Sequence, residues 1–360
     1  MKEREYGVDV IRIMATFVVI ATHVKLGWIE NNVVDNQRLF FACLWSDGVS
    51  LFFLITGFFL FNGREYKKII KKCIKSIILP VLIVVIASQI IDPWILDSRI
   101  FCSGFNFNIH LGNIVHSIMR QSAGDIDFCF HFWYIFTYIK VILFVPLLKW
   151  ICQEGKEQNL FRRGLIILSI LYVLVNDLKK FVTIDVNFYY FFDVAILLVL
   201  IGYEISLHKN KIINNTSIRF ICVVFLFAIG GLRFYSQKKL YEINIEDSSL
   251  MNWDSIFGIF MASLFFIFIY SFDMSNVEGV LKKCIVKLSG VSFYVYLIHV
   301  IVYFKLESMG VREWAINNLT QSKAGIVLFN VIYPLGVSII CILFIFTYQR
   351  IKHCIEQKIK

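Results

Sequence analysis

An imidazole changes charge closer to neutral pH than any other side chain. Three of the seven histidines in this 360-residue chain sit in or at the edge of long apolar runs. The first run begins Val8-Asp9-Val10-Ile11-Arg12 and continues through Thr16 and Val19 to His23. Arg12 and His23 are eleven residues apart. On a helix, about 100° per residue returns them to within about 20° of one face, about 16 Å apart along the axis. Asp9 precedes Arg12 by one turn, close enough to pair with it. Such a face carries a charge pair at one end and a proton acceptor towards the other. The plainer reading is that Asp9 and Arg12 anchor a helix end while His23 snorkels outward. An ionisable group in hydrocarbon costs about 2.5–3.5 kcal/mol on insertion scales, so each one calls for a reason.

A later run repeats the pattern. Ser289, Ser292, Tyr296 and His299 fall at i, i+3, i+7 and i+10, one polar stripe on a helix. A core histidine bonded to a neighbouring helix accounts for His299 about as well as catalysis does. His131 opens a run as His-Phe-Trp-Tyr, which by itself reads as the aromatic belt of a membrane boundary. Between residues 62 and 76 lie six basic side chains, Lys71, Lys72 and Lys75 among them, ahead of Pro80. They could hold anionic lipid headgroups or a phosphorylated cytosolic donor.

Composition decides what positions these groups. The chain is 58% hydrophobic and 17% charged, with mean hydropathy +0.70, against about 25% charged in a soluble domain. No soluble fold of this length hides so much apolar surface. Ten runs approach the roughly 20 residues needed to cross a bilayer: 8–28, 41–61, 77–96, 131–150, 163–177, 187–206, 217–234, 252–272, 289–307 and 324–348. The fifth is the shortest. With the N-terminus cytoplasmic, the inner segments hold 22 Lys/Arg and the outer ones 12, with Arg12 and Lys140 left inside spans. That bias places both termini in the cytoplasm. It also explains the +10 net charge without nucleic acid as a partner. Nine scattered Cys without a CxxC pattern read as small buried hydrophobes, not a disulfide frame or a metal site. The first run lacks a cleavage site and reads as a retained helix.

The second run, Asp47-Gly48-Val49-Ser50 through Thr56-Gly57-Phe58, has small residues that permit close helix packing. Asp47 at its outer end is ambiguous. The longest segment between runs, 97–130, is expected outside, with a surface patch at 109–115.

Taken together, these pieces resemble the membrane acyltransferase-3 family. Asp9, Arg12 and His23 match its D-x-x-R-x10-H signature. Phe52-Phe53-Leu54-Ile55-Thr56-Gly57-Phe58 is similar to its F-F-x-I-S-G-F segment, with Thr56 for Ser. His131-Phe132-Trp133-Tyr134 is similar to its H-L-W-[FY], and Ser292 through His299 to its late S-x-x-x-Y-L-x-H. Family members commonly carry arginines where this chain has Lys71, Lys72 and Lys75. A lysine neutralises phosphate but lacks the bidentate fork.

The reading is an all-α integral membrane protein, a single domain over 1–360, built as a bundle of about ten transmembrane helices in the cell membrane. The resemblance implies transfer of an acyl group, acetyl by preference, from cytoplasmic acyl-CoA to a hydroxyl of an extracytoplasmic saccharide. No metal is implied. His23 would be the general base, Arg12 would organise the donor or stabilise the tetrahedral intermediate with Asp9 orienting it, and His299 and His131 would stand nearby. An acyl-histidine route stays open, as does a homo-oligomer in the membrane. The competing reading is a transporter or flippase for a glycan or lipid-linked precursor. Broken inverted repeats would favour it, and none is apparent. A membrane carrier module serving a biosynthetic complex is a third reading.

Overall fold

The computed structural model describes residues 4–30, 33–61, 63, 65–97, 128–182, 193–275 and 277–359. Most of the expected outer segment 97–130, its patch at 109–115 included, lies outside them. The described residues are helical almost throughout, as backbone in hydrocarbon must be, since only a helix or a closed barrel satisfies its own N–H and C=O groups there. The only sheet among the described residues is the two-stranded pair Ile29–Glu30 and Val33–Val34.

In chain order the helices are α1 Tyr6–Val24, α2 Asn36–Leu44, α3 Gly48–Leu60, α4 Tyr66–Cys73, α5 Leu79–Asp97, α6 Trp133–Leu143, α7 Val145–Ile151, α8 Lys156–Leu178, α9 Val194–Leu207, α10 Lys209–Ile212, α11 Thr216–Ile243, α12 Ile256–Tyr270, α13 Gly279–Ser308, α14 Val311–Leu319 and α15 Lys323–Ile359. A π-helical turn, Ile74–Ile78, joins α4 to α5, and a 3-10 turn, Phe130–Phe132, leads into α6. Among the described residues, seven helical segments are long and apolar enough to cross a membrane, and the pair α6 and α7, bent by 59°, would make an eighth.

The ten expected runs overlap these helices, of which seven, or eight with the bent pair, have the length and hydropathy of a span among the described residues. Two runs differ in length from their helices. The fifth run is no longer the shortest, because α8 reaches back to Lys156. Its charged N-terminal end is satisfied rather than excluded: buried Arg162 donates to Glu204 at 2.7 Å, to the Ile151 carbonyl at 3.2 Å and to Asn159 at 2.8 Å, and lies over the Tyr203 ring. The sixth is the short one, since Asp193 caps α9 by accepting from the Ala195 N–H.

The described chain divides into two compact units. The first comprises 1–22, 26–69 and 140–289, the second 23–25, 70–139 and 290–360. In the first, small residues let helices approach to backbone contact. A methyl added at Gly57 of α3 would overlap the Val199 carbonyl of α9, and one at Gly202 of α9 would overlap the Leu54 carbonyl of α3. Gly48 likewise leaves room for Ala15 and Val19 of α1. The sequence expectation of close packing at Gly48 and Gly57 therefore holds, and Gly202 completes the pair.

Also in the first unit, Arg233 of α11 is fully buried. It donates to both Asp47 oxygens (3.0 and 2.8 Å) and to the carbonyls of Cys43, Leu250 and Asn252. Asp47 thus pairs inside the protein, where the sequence left its role open. In the second unit, Gly310 adopts a positive φ of 72° at the turn into α14, a conformation that glycine takes at no steric cost. The eight described cysteines are free, six of them buried, in keeping with small hydrophobes.

Candidate active site

Two polar constellations stand out, one in each unit. In the first unit, Asp9 is buried and gathers three donors. Arg12 Nη1 reaches Asp9 Oδ1 at 2.8 Å, Ser289 Oγ reaches the same oxygen at 2.6 Å, and Arg4 Nε reaches Oδ2 at 2.5 Å. Arg12 Nη1 also donates to Ser289 Oγ at 2.7 Å. The expected Asp9–Arg12 pair is present. Arg4 and Ser289 complete it, and neither belonged to the expected site. Ser289 was visible as the first member of the polar stripe, but nothing in the spacing tied it to Asp9, 280 residues away. Charge-assisted bonds of this kind are short and orienting. The guanidinium is held by one face and remains partly exposed.

In the second unit, His23 from the end of α1, His131 from the 3-10 turn and His299 from α13 come together. The ring centroids lie 4.7 Å apart for His131–His299, 5.2 Å for His23–His299 and 6.2 Å for His23–His131. The local fold explains this meeting. Tyr296 Oη donates to the His131 carbonyl at 2.7 Å, fixing the turn that carries the imidazole. Phe130, Phe132 and Tyr296 pack their rings against the histidines. Ser292, Tyr296 and His299 are all buried, so this part of the stripe faces the protein and not lipid.

Hydrogen bonding in the cluster is incomplete. His299 Nδ1 lies 2.6 Å from the Tyr296 carbonyl, one turn back, while its Nε2 has no partner among the described residues. His131 is buried, and neither ring nitrogen has a partner among the described residues, although the backbone of Tyr296 and Leu297 lies beside it. Buried polar groups left open in this way are rare in folded proteins and invite a bound group. Among the described residues, no group of three or more His, Cys, Asp or Glu is arranged to hold a metal ion.

Lys71, Lys72 and Lys75 lie on exposed positions of α4 and the π-helical turn, in the second unit. On the same segment Cys73 is buried, as is Ile69 of α4 in the first unit, which makes α4 two-faced. A π-helical turn often marks a functional position.

A cavity of about 450 Å³ opens in the first unit among Asn176, Asp177, Lys180, Asp193, Asn252 and Asp254, with further neighbours. Asp177 is spent on structure, accepting from Lys180 at 2.6 Å and from the Ile256 N–H at 2.8 Å. Three carboxylates against one ammonium make this a poor seat for a polyanion.

A helical protein with this many membrane-length helices is a multi-pass membrane protein. The acyltransferase domain of the acyltransferase-3 family matches residues 5–348, nearly the whole chain. The chain belongs to that family and is a membrane acyltransferase. No curated protein and no solved structure gave a match.

Proposed function

We propose that this acyltransferase moves an acetyl or similar acyl group from cytoplasmic acyl-CoA to a hydroxyl of an extracytoplasmic saccharide at the cell membrane. The observation that carries this reading is the three-histidine cluster with its open ring nitrogens. A group that must take a proton from an alcohol near neutral pH is best supplied by neutral imidazole. His23 is the least buried residue of the three and is assigned as general base. As the acceptor oxygen attacks the thioester carbon, its proton passes to His23. The C–S bond then breaks, and the departing thiolate takes that proton back. The His131 N–H is suited to the carbonyl oxygen as charge gathers there.

Arg12 is assigned to the donor. Eleven residues of helix separate it from His23, about 16 Å, too far for its side chain to touch the carbon on which His23 acts. Of the two roles open to it, intermediate stabilisation is therefore the weaker. Asp9 and Ser289 hold the guanidinium in one orientation. Lys71, Lys72 and Lys75 would meet the phosphates of coenzyme A as point charges.

The test uses purified protein in vesicles with labelled acetyl-CoA and isolated cell-surface glycan. Label should appear on the glycan as an alkali-labile ester. Replacing Lys71, Lys72 and Lys75 together by Gln should raise the donor concentration needed by about tenfold or more and leave thermal stability unchanged, because exposed lysines contribute little to it. Unlabelled glycan that crosses intact vesicles would favour the transport reading. An unchanged donor requirement would return the lysines to lipid anchoring.

The proposed direction requires ten spans and cytoplasmic termini. The seven long helices and the bent pair account for eight, and α5 and α9 would supply the others. Single cysteines placed at Gln37 and Asn317 should react with an impermeant reagent from outside, and those at Lys68 and Lys358 only after permeabilisation. Labelling of Lys68 and Lys358 positions on intact cells would reverse the topology.

A further inference from the structure

The hydrogen bonds of His299 determine where its proton sits. A carbonyl oxygen can only accept, so the 2.6 Å contact with the Tyr296 carbonyl places the proton on Nδ1. In the neutral ring Nε2 then carries a lone pair. That lone pair is buried and unpartnered among the described residues. A buried acceptor left open is costly, so a donor is expected to reach it.

Two rings lie close enough to supply that donor. His131 meets His299 at 71° between planes, an edge-to-face arrangement. His23 lies 5.2 Å away, centroid to centroid, with planes only 37° apart. Two imidazoles joined by an N–H···N bond have centroids about 5 Å apart, a bond of about 2.9 Å plus two ring radii of about 1.1 Å. At 5.2 Å His23 matches that separation, while His131 at 4.7 Å lies nearer than a linear N–H···N bond places two ring centres.

We propose that His299 is a positioning residue for His23. Its Nε2 accepts the N–H of His23, which fixes one tautomer of His23 and leaves the other His23 nitrogen unprotonated towards the acceptor hydroxyl. The relation is that of the carboxylate to the histidine in a serine-hydrolase triad, with an imidazole as the orienting acceptor. No proton transfer to His299 is required. The catalytic part of this inference rests on the acyl-transfer reading, and the tautomer part does not.

Two variants separate orientation from packing. His299→Phe keeps the ring and removes the acceptor. His299→Gln places an amide oxygen near the position of Nε2. The Phe variant should lose about 100- to 10,000-fold in kcat, the range for a wrongly oriented base, with an unchanged KM for acetyl-CoA. The Gln variant should recover at least tenfold of that loss. Equal losses in the two variants, or a Phe variant as fast as the parent, would overturn the proposal.

The second measurement needs no turnover. Nitrogen-15 NMR of the full chain with labelled histidine should show His299 protonated at Nδ1 and His23 in a single tautomer. His23 should become a mixture in His299→Phe. His299 protonated at Nε2 would sink the inference. A parent protein with no acyl transfer but with these tautomers would sink the acyl-transfer reading alone.

Discussion

Changing His23 to Ala is expected to lower acyl transfer to cell-surface glycan by about 100- to 10,000-fold, the usual loss on removing a general base, or roughly 3–5 kcal/mol in the barrier. The protein should still insert, and it should still bind acyl-CoA. The reason lies in what His23 does not do. Among the described residues it makes no ion pair, and its ring contacts are with Phe130, His131 and His299. Its removal leaves a small polar gap that water can fill, without an unpaired charge. Donor capture is assigned to Arg12 and to the basic segment, so donor binding should persist. Arg12→Ala should behave differently. It strips one of three donors from buried Asp9, and both donor affinity and stability should fall. The measurements are label transferred to glycan, donor binding on purified protein, and protein level in the membrane. A His23→Ala protein that is stable and transfers at the parent rate would remove His23 from the mechanism and move the base to His299 or His131.

Much of this site was legible in the sequence because it follows helical periodicity. Asp9 and Arg12 sit one turn apart, and the chain makes their pair locally. Ser292, Tyr296 and His299 share a face for the same reason, and a polar stripe in an apolar helix points inward. That the three histidines meet is harder to read. It depends on Tyr296 bonding the His131 carbonyl 165 residues earlier, and no local period encodes that contact. Ion pairs between distant helices are hidden for the same reason. Arg162 stands just ahead of the apolar run 163–177, beside Arg163 and near Lys156, and looks like a solvated cation, yet it is buried against Glu204. Hydropathy cannot tell a paired arginine from a solvated one, so the apolar run 163–177 omits the first two turns of α8. Arg233 is equally hidden, a cation late in an apolar run whose bonds to Asp47 and to the Cys43, Leu250 and Asn252 carbonyls come from distant segments.

That pair should dominate the response to mutation. Asp47→Ala is expected to destabilise the protein by about 3–5 kcal/mol, because it leaves the Arg233 guanidinium buried without its counter-charge. The three carbonyls that Arg233 also binds cannot neutralise a full positive charge, and water reaches none of its side-chain surface. The loss should also spread. Arg233 ties the break between α2 and α3, through the Cys43 carbonyl and Asp47, to the turn before α12, through Leu250 and Asn252. The discriminating variant replaces both partners, Asp47→Leu with Arg233→Met. An apolar pair of similar volume removes the desolvation penalty along with the attraction, so the double variant should be markedly more stable than Asp47→Ala despite carrying more changes. It should not match the parent, because the Cys43, Leu250 and Asn252 carbonyls lose their donor. Thermal unfolding of the detergent-solubilised protein, followed by the loss of its monodisperse peak, orders the three proteins. If Asp47→Ala unfolds at the parent temperature, Arg233 has found another counter-ion and the pair is not what holds this end of the helices together.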